Sequence, residues 1–155
     1  IDRGLVGSEM CIRDSAHPMY GKTFSTLGKT LDPISQDSCA FYERTALFAD
    51  YDGVANGPDE GINIAKALGD KDFVILQNHG ILTTGTMVDT TIWYFLNMED
   101  ACKSQLLAEA VGKPIVIPHE TACATRDYVA NDLSAYVSFQ PTVDVLWEEE
   151  PDLLD

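Results

Sequence analysis

The apolar positions of the chain follow two different periods. Residues 73–77, FVILQ, are a continuous apolar run, the pattern of a strand buried on both faces. ILTTG, 81–85, follows at once, and Gly80 between them predicts a tight reversal or a bend. TALFADY, 45–51, is a further candidate strand, closed by a turn over Gly53–Pro58. The helical period marks 87–111, where Ile92, Phe95, Leu96, Cys102, Leu106 and Ala110 recur and Gly112 and Pro114 end the run. Pro58 suits a first helical position, and Asp59 and Glu60 favour the positive end of the helix dipole. Ile62, Ala65, Ala67 and Leu68 then predict a short amphipathic helix closed by Gly69. KTFSTLGK, 22–29, reads as one or two helical turns, 39–42 as helix or strand, and 114–118 as a short extended piece. Helices over 119–131 and 141–150 finish the chain, and EEEPDLLD reads as a solvated acidic tail.

No repeat or linker divides these elements, so one domain is expected. Helices flank a buried strand, and strand and helix do not alternate regularly. The 155 residues are 45% hydrophobic and 23% charged, ample apolar material for a core. Ten Lys and Arg against 25 Asp and Glu leave a formal charge of −15, which repels phosphate backbones and argues against nucleic-acid binding. No run of about 18 apolar residues exists to span a membrane. Cys11, Cys39, Cys102 and Cys123 form no close pair, the pattern of reduced thiols in a cytoplasmic protein.

The opening IDRGLVGSEMCIRDS has neither period, and GLVGSEMCIRDS resembles translated sequencing adapter. Residues 1–15 are therefore set aside as an artefactual tail, and residues 16–155 are read as a partial domain whose upstream part is missing.

Three histidines could carry chemistry. His17 stands before a proline in AHPMYG, and His79 ends the clearest strand in LQNHGILTTG. A single histidine is more often a surface or core residue than a ligand, so spacing alone assigns neither to a metal. His119 begins a helix beside Glu120 and reads as a capping or surface residue. Asp37, Tyr42 and Glu43 are polar candidates for which a structural role is favoured. Asn78 either orients a substrate or caps the turn, and the second is favoured.

Three stretches change this reading: AHPMYGKTFSTLGKTLDPISQDSCAFY, DEGINIAKALGDKDFVILQNHGILTTG and MVDTTIWYFLNMEDACKSQLL. Together they resemble the class II aldolase/adducin family from Ala16 to about Gly112. The resemblance implies an α/β/α layered class II aldolase-like fold around a mostly antiparallel sheet, here incomplete at the N-terminus. It implies that His79, in NHG, is a metal ligand, and that His17 is the second member of a His-x-His pair. The first member would fall at position 15, which is Ser15. Residues two apart on a strand share a face, so such a pair converges on one ion, and a third histidine leaves a catalytic zinc site one open position. With two of three ligands the chain itself is expected to be inactive.

The family chemistry implied is Zn2+-type or other divalent-metal stabilisation of an enediolate during C–C cleavage of a small sugar or hydroxy-acid substrate. The general acid or base is expected upstream, outside this chain. The resemblance also implies a homo-oligomer. A non-catalytic adducin-like interaction module is the alternative, and the presence of His17 and His79 argues against it.

Overall fold

The computed structural model describes residues 12–50 and 58–154. Among the described residues four strands form one sheet: β1 (Ile12–Ala16), β2 (Thr45–Phe48), β3 (Phe73–Leu76) and β4 (Gly80–Gly85), in the order β1-β4-β3-β2. β1 and β3 both pair antiparallel with β4, and β2 pairs parallel with β3. The sheet is thus mostly antiparallel. Its edge strand β1 includes residues 12–15, which the reading of the sequence set aside.

Alternation along β3 and β4 sorts the core into two layers. Ile75 faces Ile81 in register, and with Phe73 they pack on Phe24, Phe41, Tyr94, Phe95 and Met98. Val74 faces Leu82, and with Leu76 and Phe48 they pack on Ile64 and Leu68. The first layer is covered by α1 (Met19–Ser25) and α3 (Val88–Val111), the second by α2 (Pro58–Leu68). Burial on both faces is why 73–76 reads as an unbroken apolar run.

The helices depart from expectation in instructive ways. α1 begins at Met19 because Pro18 fits the extended residue before a helix, and it ends well before 29, where Gly28 is left-handed (φ 61°). In α2 the buried positions are Ile64 and Leu68, while Ile62 points to solvent. In α3 the buried stripe runs Thr91, Tyr94, Met98, Ala101 and Gln105, so Leu96 and Ala110 lie outside it. Residues 38–41 form a short 3₁₀ turn. α4 spans His119–Val129, and α5 spans Asp132–Glu149, starting nine residues before the expected 141. Asn131 caps α5, its side-chain oxygen accepting from the Ser134 N–H at 2.9 Å, and Pro141 lies inside the helix. The acidic end is partly ordered as a turn over Pro151–Leu154. The turn expected over Gly53–Pro58 lies almost wholly outside the described residues.

α1 seats close on the sheet. A Cβ built on Gly21 would stand 3.0 Å from Ile81 Cγ2, so only glycine lets the helix approach this far.

Candidate functional site

His79 is delivered by the hairpin that joins β3 to β4. The paired ends are Leu76 and Gly80, which leaves Gln77, Asn78 and His79 to make the reversal. The His79 N–H donates to the Leu76 carbonyl at 2.9 Å, and Asn78 adopts the left-handed conformation (φ 58°) that asparagine tolerates better than most residues. Asn78 therefore serves the turn, its favoured role. The reversal lies at 77–79, and Gly80 is already strand.

His17 reaches the same place from the other side of β4. Ala16 pairs with Ile81, so the next residue along β1 arrives beside the hairpin. The rings of His17 and His79 meet edge to face, with centroids 4.5 Å apart and planes at 69°. Two residues 62 positions apart are thus brought into contact by strand register. His17 is exposed and His79 half-buried.

Glu99 of α3 fixes the backbone just after His17. Pro18 provides no side-chain cap for α1. Instead the Glu99 carboxylate accepts the N–H groups of Tyr20 and Gly21 at 2.8 and 2.5 Å, placing negative charge at the positive end of the helix. Lys103, one turn along α3, lies 5.2 Å from the centre of the Tyr20 ring.

Neutral imidazole nitrogens are good ligands for zinc-class cations, and two now stand together. The donor set fits such an ion in part: position 15 offers a serine, where an imidazole would complete a three-histidine set.

The other sequence candidates gather elsewhere. The Tyr42 hydroxyl lies 3.1 Å from His119 Nδ1. Glu43, left-handed at φ 59°, has Oε1 3.7 Å from His119 Nδ1 and Oε2 3.2 Å from an Arg126 guanidinium nitrogen. Cys123 Sγ lies 3.7 Å from Glu43 Oε2 and 3.8 Å from both ring nitrogens of His119. His119 opens α4 as expected, but its side chain turns to these partners and does not cap the helix. Asp37 precedes the 3₁₀ turn and makes no side-chain cap there.

Among the described residues Cys39, Cys102 and Cys123 are free thiols. Burial, reinforced by the neighbouring Glu99 carboxylate, pushes the Cys102 thiol up to about 12, so it stays protonated and unreactive.

The model of the class II aldolase and adducin N-terminal domain matches residues 16–106. The chain belongs to the class II aldolase and adducin family. Within that family it is similar to the decarboxylase NovR of Streptomyces niveus, 37% identical over 137 residues that cover 88% of this chain and 51% of that protein. It is likewise similar to the meiotically up-regulated gene 14 protein of Schizosaccharomyces pombe, 40% identical over 128 residues, 81% of this chain and 50% of the other. Among solved structures, L-fuculose 1-phosphate aldolase from Glaciozyma antarctica superposes with a TM-score of 0.82 at 38% identity, covering 90% of this chain and 53% of that one. The class II aldolase fold is therefore that of this chain. The chain spans about half the length of the curated relatives it matches. Among the described residues no helix is long and apolar enough to cross a membrane.

Proposed function

We propose that the parent of this chain is a metal-dependent lyase-type enzyme acting on a small sugar or hydroxy-acid, and that His17 and His79 are two of its metal ligands. The meeting of the two rings at 4.5 Å carries this reading. A bound divalent cation of the zinc class would supply Lewis-acid charge that steadies an enediolate-type carbanion. The chain's own part is to hold two imidazoles toward one point. Strand register sets their separation, the left-handed turn at Asn78 aims one, and Glu99 anchors the backbone after the other. Similar proteins carry the names decarboxylase and aldolase, so membership of the family does not by itself name the bond that is broken. A small-molecule substrate, a cytoplasmic location and self-association belong to the same proposal. Exposed apolar residues on α5, including Val137 and Trp147, suit the last of these.

Restoring the missing imidazole tests the reading. In the full chain carrying Cys123→Ser, so that the Cys123 sulfur cannot compete, Ser15→His is expected to tighten zinc binding on the order of a hundredfold, ~2.8 kcal/mol. His79→Ala should then abolish the gain. Zinc affinity indifferent to residues 15 and 79 would favour the non-catalytic, adducin-like module. The chain as it stands is expected to show no aldol cleavage above background, and measurable turnover would overturn that expectation.

A further inference from the structure

The residues that the aldolase-type reading leaves unused make a second constellation. His119 and Cys123 are four apart on α4, so they share one face of the helix. Glu43 comes from a different part of the chain, just after the 3₁₀ turn against which α4 packs. One ligand atom from each of Glu43, His119 and Cys123 lies within 4.8 Å of the others.

The separations can be compared with those a cation would impose. Zinc holds imidazole nitrogen and carboxylate oxygen at about 2.0–2.2 Å and thiolate sulfur at about 2.3 Å, so ligand atoms at tetrahedral angles stand ~3.5 Å apart. The Cys123 sulfur stands 3.8 Å from each His119 ring nitrogen and 3.7 Å from Glu43 Oε2, and Glu43 Oε1 stands 3.7 Å from His119 Nδ1. Side-chain rotation would draw one donor atom from each residue, already within 4.8 Å of the others, onto a single ion.

The surroundings hold the donors in place. The Tyr42 hydroxyl engages His119 Nδ1, which leaves Nε2 for an ion after a small ring rotation. Arg126 binds Glu43 through Oε2 at 3.2 Å, and Oε1 is the atom turned to His119. Arg126 also pairs with Asp127 at 2.9 Å, so it can orient the carboxylate without taking up both of its oxygens. Glu43 keeps a left-handed backbone, sparsely populated for a residue with a Cβ, at the point that aims it toward α4.

We infer that Glu43, His119 and Cys123 form a binding site for a zinc-class divalent cation, separate from the His17–His79 pair, that pins α4 to the 42–43 turn. Mixed sulfur, nitrogen and oxygen donors select such an ion over magnesium or calcium, which prefer oxygen alone. Three protein ligands leave a fourth position for water.

Cobalt(II) provides a probe that sees sulfur. Added to the reduced full chain, it is expected to give a near-ultraviolet thiolate-to-cobalt charge-transfer band. Cys123→Ser should abolish the band, and His119→Ala should weaken cobalt binding at least tenfold, about 1.4 kcal/mol. His17→Ala should leave it unchanged, which separates this site from the other. No band at saturating cobalt, or a band that survives Cys123→Ser, would overturn the assignment. A second measurement does not depend on how these variants fold. X-ray absorption at the zinc edge, on the His79→Ala chain with one equivalent of zinc, should find one sulfur at ~2.3 Å. A shell of nitrogen and oxygen alone would overturn it equally.

Discussion

His17–His79 and Glu43–His119–Cys123 are two meetings of metal-capable side chains built by different means. The first is assembled by the sheet: β1 runs back along β4 and sets one imidazole beside another at the hairpin. The second is assembled by a helix face laid against a turn, and one of its members, Glu43, keeps a salt bridge with Arg126. A site held by strand register inherits the stability of the core beneath it. A site held by a helix end and a surface turn depends on local packing. The two should therefore respond differently to the same injuries.

The largest effect is expected from Phe73→Ala. Phe73 is fully buried, and its ring lies 5.0 Å from Phe41 and 5.1 Å from Tyr94, so it supports both the hairpin strand and the turn that precedes Tyr42 and Glu43. The loss should be about 3–5 kcal/mol in chemical denaturation, with both regions weakened together. If the histidine pair kept its cobalt or zinc affinity while the helix site lost it, the shared dependence on this core would be wrong.

A narrower cut is Glu99→Ala. It strips the α1 N-terminus of its acceptor and should cost about 1–2 kcal/mol. Metal affinity at His17 should fall, and the Cys123-dependent cobalt band should stay as it was. Equal losses at both would mean that Glu99 supports the whole fold and does not specifically set the approach to His17.

The smallest effect lies outside both regions. Hydrogen bonds from Lys29 and Gln105 hold the Glu109 carboxyl below its usual range. Because its folded value is depressed, the stability it contributes is present above the unfolded carboxylate value and is lost as pH falls through the folded one. Lys29→Met should remove roughly 0.5 kcal/mol at neutral pH, discounted for the exposure of the pair, and should flatten the acid limb of the stability profile. Cobalt and zinc binding should not change, which makes the variant a control for both sites.

Legibility in the sequence followed the same division. β3, β4 and α3 were readable because an unbroken apolar run and a long helical period each have few alternatives. His17 and His79 were singled out through the family resemblance of the stretches around them, and spacing alone could not join them. The start of the last helix was placed too late, although the upstream residues, DLSAYVSFQ, are ordinary helix material and Pro141 lies inside the helix. Glu43, His119 and Cys123 went unconnected because the 75 residues between the first two carry no pattern that says how α4 packs. The one local hint was the four-residue spacing of His119 and Cys123.

The close seat of α1 on β4 at Gly21 has a consequence for the histidines. His17 is tied to that helix through Pro18 alone, so the gap between helix and sheet is also a gauge for the distance between the rings. A single methyl at position 21 would act as a shim under the helix, widening the spacing at the imidazoles without touching either of them. The spacing of the two rings is thus set from beneath, through the thickness of one packing contact.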